Sequence, residues 1–200
     1  MKLYLSPTSP YGRLILAGAL NAGVDNLQLV FVDPWANPRE LETHNPFSQI
    51  PTLITASGHT LYDSFVIADY LLDHPIRGPQ QAATIAFARI LLEQAVKYFS
   101  LQRHQPAGTP HPHIRRAHDA ILRALPHAPD LQADSRDFAQ LALGIAFGYV
   151  QLRLPEAIAR LSPANRDALQ RFAQRELVRL IDPATLGKQP ANIAALRALA

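Results

Sequence analysis

The chain has 200 residues, of which 48% are hydrophobic and 18% are charged, a composition typical of a soluble globular protein with one or two domains. Its formal net charge is +3, and its basic residues are spread along the chain, so nothing indicates a nucleic-acid-binding patch. It contains no cysteine, which excludes disulfides, thiolate metal sites and any mechanism that uses a protein thiol.

The first half of the chain alternates short strand and helix patterns. Residues 3–5 predict a strand that ends at Ser6-Pro7. A helix follows over residues 10–22, with Ser9 as its N-cap and Gly23 as its C-terminal stop. Five further elements predict the order βαβαββα, one mixed sheet with helices packed on it. They are a strand over 26–32, a short helix over 39–43, a hairpin of strands 52–55 and 60–62, and a helix over 64–72 capped by Ser64.

The second half of the chain has helical patterns throughout. We predict an N-terminal α/β domain over residues 1–75, a linker over 76–83 and an all-helical domain over 84–200. Residues 138–154 are apolar on nearly every side and predict the central helix, with Asp134 and Asp137 resembling a capping box at its start. The remaining predicted helices are 84–103, 114–125, 164–181 and 193–200.

Ser9 has two interpretations. Taken alone, Ser9-Pro10 is an ordinary helix cap. The same geometry also places a hydroxyl among the free backbone N–H groups of a helix start, where anions are stabilised. A hydrogen bond donated there to a ligand thiolate would lower the thiol pKa. Thr8 and Tyr11 lie close enough in sequence to take that role, and Tyr4 is a weaker candidate.

The Ile50-Pro51 pair precedes a predicted strand. A proline there is compatible with an ordinary turn or edge strand. If the bond is cis, the Ile50 backbone can turn outward and pair with an extended peptide, a contact that depends little on side chains.

Asp63-Ser64 opens a predicted helix and is compatible with simple capping. The helix start and the Ser64 hydroxyl also suit a ligand carboxylate, while Asp63 suits an ammonium group one residue away. That pair would recognise the amino-acid head of a ligand.

Histidines cluster between the predicted helices, and His111-x-His113 raises the question of a metal site. The segment also contains Pro106, Pro110 and Pro112 and lacks cysteine. We therefore interpret it as a solvated loop and predict no metal site.

The sequence resembles the glutathione transferases, and among them the bacterial serine-type glutathione-transferase-like proteins. The resemblance covers essentially the whole length and implies a thioredoxin-like N-terminal domain followed by an all-α C-terminal domain. Four segments carry it: TSPYGR at 8–13, NPFSQIPTL at 45–53, LYDS at 61–64 and IADYL at 67–71.

Carried over by position, the resemblance implies a glutathione site with glutathione as co-substrate and no metal. Ser9 would face the sulfur and act as the catalytic residue. Ile50, before a cis Pro51, would pair with the cysteinyl backbone, while Asp63 and Ser64 would hold the γ-glutamyl head.

Three further positions border this implied site. Trp35 lies where the loop after the second strand approaches the ligand in relatives. Gln49 and Ser48 stand where relatives often carry lysine and glycine. An amide at Gln49 would keep a hydrogen bond to the glycyl carboxylate but lose its charge, which predicts weaker glutathione affinity.

The resemblance also implies a reaction. We predict a glutathione transferase that conjugates the glutathione thiol to a small hydrophobic electrophile, in a detoxification role. The electrophile would lie near Tyr11, Trp35, Tyr98 and Phe99. Because Ser9 and Gly12 stand where redox-active relatives place cysteines, disulfide reductase activity is excluded.

Two alternatives stay open. One is a glutathione-binding or interaction module without turnover, because a fold does not fix a function. The other is glutathione-dependent dehalogenation or isomerisation at the same site. No apolar run reaches the roughly 18 residues that span a bilayer, so we expect a cytoplasmic protein without a membrane partner. The spread of its basic residues predicts no nucleic-acid partner, and the resemblance implies a homodimer.

Overall fold

The structure, a computed structural model, describes residues 1–106 and 111–199. The chain forms two compact units. The first contains Met1–Pro75 together with the chain from Gln174 onward, and the second runs from Ile76 to Ala173. The small mixed sheet with helices in the first unit and the mostly helical remainder confirm the predicted fold class. The predicted division into an N-terminal domain over 1–75, a linker over 76–83 and a helical domain over 84–200 stays a prediction. Here a helix begins at Pro79, and the residues after Ala173 join the first unit.

The first unit is built around a four-stranded sheet with the order β2-β1-β3-β4. Strand β1 pairs parallel with β2 and antiparallel with β3, and β3 pairs antiparallel with β4. The N-terminal elements are β1 (Lys2–Leu5), α1 (Pro10–Ala22), β2 (Gln28–Phe31), a 3₁₀ turn (Pro34–Ala36), α2 (Arg39–His44), β3 (Thr52–Ile54), β4 (Thr60–Tyr62) and α3 (Ser64–Leu72).

Helix α1 has the bounds that its sequence predicts. Pro10 occupies the first turn, where its missing N–H costs nothing, and Gly23 ends the helix in the left-handed conformation at φ 73°. The Gly23 N–H donates to Ala19 and Leu20 carbonyls. Helix α1 packs against α3 and β1, so the start of α1 is fixed to the sheet.

The C-terminal segment covers the outer edge of β2. The Leu29 N–H donates to the Ala191 carbonyl over 2.9 Å, and Gln28 forms an antiparallel bridge with Asn192. Arg197 adds a 2.7 Å ion pair to Asp25. Because unpaired edge strands promote aggregation, this segment protects the sheet on the side away from β4.

The helix predicted over residues 164–181 is wrong as one element. It is two helices, α7 (Pro163–Gln174) and α8 (Glu176–Leu180), broken at Arg175, which is extended at ψ 137°. The break has a tertiary cause, because α8 packs against α1 and buried Arg13 donates from Nε to the Ile181 carbonyl over 2.7 Å. The chain ends with α9 (Pro183–Leu186) and α10 (Ile193–Arg197).

The second unit is a helical bundle. Helix α4 packs against both α5 and α6, and α6 is buried over most of its surface, as its apolar sequence predicts. In residues 1–106 and 111–199, none of the helices has a stretch that would span a bilayer. The elements are α4 (Pro79–His104), α5 (Pro112–Ala124), α6 (Phe138–Arg153), most of α7, and two 3₁₀ segments (Leu125–His127 and Pro155–Arg160).

Asp137 alone is the N-cap of α6. Its Oδ1 accepts the Ala139 N–H over 2.9 Å, and its Oδ2 accepts a 2.7 Å hydrogen bond from Gln81 on α4. The predicted pairing of Asp134 with Asp137 as a capping box is corrected, because the Ser135 hydroxyl accepts the Asp137 N–H. One carboxylate therefore caps α6 and ties its start to α4.

Candidate functional site

Strand register brings the N-terminal site segments to one end of the sheet. Tyr4 lies opposite Thr52, and Thr52 lies opposite Tyr62. The end of β1, the start of β3 and the end of β4 are therefore neighbours. Since β2 runs parallel to β1, it also ends here. The loop to Ser9, the Ile50-Pro51 pair, the Asp63-Ser64 pair and the Trp35 turn all leave the sheet at this end.

Ser9 is the N-cap of α1, as predicted. Its backbone is extended, and its Oγ accepts the Gly12 N–H over 3.3 Å, which leaves the hydroxyl proton able to donate elsewhere. Gly12 lies against the sheet so closely that a Cβ there would stand 3.0 Å from the Leu5 Cβ. Ser9 and Tyr11 are half-buried and Thr8 is exposed. A half-buried hydroxyl at a helix start can hydrogen-bond an anion placed beside it.

Tyr4 is committed elsewhere. The residue is only 1% exposed, and its hydroxyl donates to Glu40 Oε1 over 2.9 Å. Burial first, and then the hydrogen bond and charge of Glu40, raise the pKa of Tyr4 to about 12. A proton donated to Glu40 is not available to a ligand thiolate, so Tyr4 is no longer a candidate for stabilising that thiolate.

The Ile50–Pro51 bond is cis, as the resemblance implies. Pro51 is buried and Ile50 is half-buried. Within the described part of the chain, the Ile50 N–H and C=O form no backbone hydrogen bond. An unpaired stretch of main chain beside β3 is chemically suited to an extended peptide.

A buried network that sequence reasoning missed fixes this loop. Asn45, 1% exposed, donates from Nδ2 to the Gln49 carbonyl and to Thr52 Oγ1, both over 3.0 Å. Thr52, 0% exposed, donates in turn to the Gln49 carbonyl over 2.8 Å. Asn45 Oδ1 also accepts the Phe47 N–H. An Asn-Pro pair before a strand signals a turn, but nothing in the sequence shows that Thr52 closes the network.

Ser48 and Gln49 lie at the tip of this loop. Gln49 is exposed, whereas Ser48 adopts a positive φ of 49° and has a shielded Oγ without a hydrogen-bond partner. A left-handed backbone favours glycine, which agrees with the glycine that the resemblance implies for this position. Ser48 therefore adopts a left-handed backbone conformation that is unfavourable for a serine.

Asp63, rather than Ser64, caps α3. Asp63 has a φ of 70°, and its Oδ1 accepts the Phe65 N–H over 2.9 Å and the Val66 N–H over 3.2 Å. Ser64 is the first helical residue and is buried. The prediction that Ser64 is the N-cap is therefore wrong, because the aspartate one residue earlier reaches both free amides. The exposed Asp63 carboxylate remains close to the helix start.

Trp35 belongs to the first unit, whereas Tyr98 and Phe99 on α4 belong to the second. Trp35 lies in the 3₁₀ turn after β2, is 50% exposed, and donates its backbone N–H to Asp33. Tyr98 and Phe99 are half-buried neighbours on α4. The Tyr98 ring lies 5.8 Å from the His118 ring, and the Arg153 guanidinium lies 3.7 Å over the Phe99 ring.

The histidine-rich segment lies partly outside the described residues, since 107–110 fall between the described ranges. The His111 and His113 rings stack with centroids 5.3 Å apart. Among residues 1–106 and 111–199, no group of three or more metal-ligating side chains is placed to hold an ion.

The comparisons with known proteins agree with this geometry. Residues 8–74 match the family model of the glutathione S-transferase N-terminal domain, a span that includes Ser9, Ile50-Pro51 and Asp63-Ser64. No protein with a curated description matches the sequence significantly.

Solved structures with a similar fold extend the likeness beyond that domain. A glutathione transferase family member from Pseudomonas fluorescens Pf-5, crystallised with bound glutathione, is 24% identical with a TM-score of 0.77, covering 91% of this chain and 98% of its own. A glutathione S-transferase from Methylobacillus flagellatus KT, also with glutathione bound, is 26% identical with a TM-score of 0.73, at 91% and 98% coverage. Gtt2 from Saccharomyces cerevisiae is 20% identical with a TM-score of 0.69, at 90% and 100% coverage. Residues 8–74 are thus similar to the N-terminal domain of glutathione S-transferases, and the chain as a whole shares the fold of these solved structures.

Proposed function

We propose that this protein binds glutathione at the end of its N-terminal sheet and conjugates the glutathione thiol to a small electrophile. The observation that carries the proposal is the match of residues 8–74 to the transferase N-terminal domain, because all three binding segments lie inside it. Two of the similar structures were crystallised with glutathione bound, which supports the same ligand here.

Each part of the tripeptide has a chemically suitable partner at this end of the sheet. The main chain of Ile50 suits the cysteinyl backbone. Asp63, with its exposed carboxylate, suits the γ-glutamyl ammonium, and the start of α3 with Ser64 suits the γ-glutamyl carboxylate. Gln49 is exposed at the loop tip and suits the glycyl carboxylate through a neutral hydrogen bond.

Ser9 is the residue that we assign to the sulfur. Its Oγ already accepts the Gly12 N–H, so its proton is free to be donated to a thiolate beside the start of α1. Lowering a thiol pKa by one unit corresponds to about 1.4 kcal/mol. Because this effect is modest, the position of the electrophile beside the sulfur must supply much of the rate.

Calorimetry with glutathione tests the first step. Micromolar to millimolar binding by the full chain is expected, and the absence of any binding would refute the proposal. Glutathione affinity should rise in Gln49→Lys, because a charge-assisted hydrogen bond is about twice as strong as a neutral one.

A thiol titration tests the role of Ser9. In Ser9→Ala, the pKa of the bound glutathione thiol should rise toward its free value of about 8.5, and conjugation of an aryl halide should slow by about tenfold. Thr8→Ala and Tyr11→Phe test the other two candidates for this role, and Thr8 is the exposed hydroxyl one residue away, so its loss should leave the thiol pKa unchanged if Ser9 acts. An unchanged thiol pKa in Ser9→Ala, with a raised one in Tyr11→Phe, would transfer the role to Tyr11.

A glutathione-binding module without turnover is the second candidate, and Gln49 favours it. An amide in place of a cation weakens the hold on the glycyl carboxylate, which suits a binding protein better than an efficient enzyme. Glutathione binding without conjugation of aryl halides or epoxides, and without dehalogenation or isomerisation, would establish this alternative.

A further inference from the structure

Tyr4 is a buried, titratable residue of β1 that the proposed reaction does not use. Its hydroxyl donates to Glu40 Oε1 over 2.9 Å, and its ring lies 5.7 Å from the His44 ring. Glu40 and His44 stand four positions apart, so they lie on one face of α2. Because the pKa of Tyr4 is raised to about 12, the hydroxyl keeps its proton and donates at neutral pH. Tyr4 thus holds a full turn of α2 against the end of β1.

Helix α2 depends on contacts of this kind for its position. It has six residues, whereas isolated helices shorter than about 12 residues are unstable in water. Its N-cap is Pro38, whose ring offers no hydrogen-bond acceptor to the helix start. Leu41 is buried where α2 packs against β3, and the other residues of α2 are half-buried or exposed. The contacts of Leu41 and Tyr4 therefore fix α2 on the sheet.

Helix α2 joins two segments that we assign to glutathione. The 3₁₀ turn that carries Trp35 precedes it, and Asn45 follows its last residue directly. The Asn45 N–H donates to the Leu41 carbonyl over 2.7 Å, while its side chain donates to the Gln49 carbonyl over 3.0 Å. Gln49 leads into the cis Pro51. A shift of α2 would therefore displace the loop before Pro51 as well as the Trp35 turn.

We propose that Tyr4 is a positioning residue for glutathione, which fixes α2 through Glu40 and His44 and thereby holds the Asn45–Ile50 loop in its binding conformation. The proposal rests on the proposed function, because it takes glutathione as the ligand of that loop. Tyr4 is 1% exposed, so it acts through α2 and not by contact with the ligand. Without this hold, α2 would be ordered only when glutathione binds, and the entropy lost in ordering it would lower the affinity.

Tyr4→Phe tests the proposal, because it removes the hydroxyl and keeps the ring beside His44. Calorimetry should show glutathione binding about fivefold weaker than in the native chain. KM for glutathione should rise by the same factor, while kcat with an aryl halide and the thiol pKa of bound glutathione stay unchanged. Ser9→Ala should instead change both of those quantities. All affinities are measured at a temperature where urea unfolding shows each protein to be fully folded, so a loss of global stability does not alter them.

Variants of Glu40 test the same hydrogen bond from its exposed end, where they do not disturb the core. Glu40→Ala removes the acceptor and should weaken binding as much as Tyr4→Phe, whereas Glu40→Gln keeps an oxygen for the Tyr4 proton and should bind nearly as the native chain does. The double variant Tyr4→Phe/Glu40→Ala should bind no more weakly than either single variant, because all three lack one and the same bond. Glu42→Ala is the matched control, since it removes the same charge from an exposed neighbour on α2 and should bind as the native chain does.

The outcomes separate this proposal from the proposed function. Undiminished glutathione affinity in Tyr4→Phe and Glu40→Ala, or losses that add in the double variant, overturn the positioning role and leave glutathione binding intact. An equal loss in Glu42→Ala would show that the charge of α2 matters and not the hydrogen bond, which also overturns it. A raised thiol pKa in Tyr4→Phe would do the same, because Tyr4 would then act on the sulfur. Failure of the native chain to bind glutathione overturns the proposed function itself.

Discussion

Replacing Asn45 by aspartate should destabilise the chain strongly at neutral pH and much less in acid. The exchange keeps the shape of the side chain and the Oδ1 that accepts the Phe47 N–H, but it replaces the Nδ2 donor by an acceptor. That acceptor would face the Gln49 carbonyl and Thr52 Oγ1, both 3.0 Å away. Two donated hydrogen bonds are lost, and a carboxylate is placed where the native residue is 1% exposed.

The magnitude follows from these contacts. Two lost hydrogen bonds cost about 2 kcal/mol, and an unpaired buried charge raises the total to about 3–5 kcal/mol at neutral pH. Burial raises the pKa of the new carboxyl in the folded state above its unfolded value. The folded state therefore binds the proton more tightly, so stability lost at high pH returns as the pH falls through the raised pKa. Once protonated, the carboxyl donates one hydrogen bond to Gln49 again.

Urea unfolding of Asn45→Asp and of the native chain, at about pH 7 and about pH 5, measures the effect. The difference in unfolding free energy between the two proteins should shrink by 1 kcal/mol or more, on the order of one pKa unit, at the lower pH. Thr52→Ser is the control, since it keeps the hydroxyl of the network and should show a pH-independent difference. A pH-independent loss in Asn45→Asp, or one below about 1 kcal/mol at neutral pH, would show that the network does not hold the loop.

Three further predictions concern the packing and the backbone. Gly144→Ala should lower the free energy of unfolding by about 1–3 kcal/mol, because the new Cβ would stand 2.5 Å from the Phe172 ring. Gly148→Ala has open space around it and should raise that free energy by about 1 kcal/mol. Thermal unfolding measures both variants, and equal shifts in the two would contradict the packing. Ser48→Gly should stabilise the chain by about 1 kcal/mol in urea, since it removes a left-handed serine and its unpartnered Oγ; a loss of stability would be the opposing result. Absorbance titration should show a tyrosine with a pKa of about 12 that is absent from Tyr4→Phe. Because this pKa is raised from 10.0 in the folded state, the unfolded chain loses the proton first, and stability should decline between about pH 10 and pH 12. A titration that Tyr4→Phe leaves unchanged would rule out the assignment.

Local signals in the sequence predict the elements that depend on local chemistry. Helix α1 begins and ends where Ser9-Pro10 and Gly23 indicate, and strand β4 has its predicted bounds. The apolar sequence of α6 predicts its buried position in the bundle. In each case the deciding contacts lie within a few residues of the signal, so the order of residues is sufficient to show them.

Features that depend on distant partners are the ones that the sequence does not show. The break at Arg175 follows from the packing of α8 on α1 and from the contact of Arg13 with a carbonyl 168 residues away in the chain. The placement of Asp63, rather than Ser64, as the cap of α3 depends on a positive φ that no neighbour dictates. Which residue closes a loop or breaks a helix is decided by tertiary contacts.

The candidate glutathione site depends both on local hydrogen bonds and on the register of distant strands, and this combination affects how it would bind the tripeptide. Ser9 is held by Gly12, the Gln49 carbonyl by Asn45, and Asp63 by the amides of α3, so each segment is fixed by bonds to its own neighbours. Strand register then brings these segments to one end of the sheet. A tripeptide that binds there would order little of the protein, so little of its binding free energy would be lost to conformational entropy. A network variant such as Asn45→Asp should therefore weaken glutathione binding even though Asn45, 1% exposed, is shielded from any ligand.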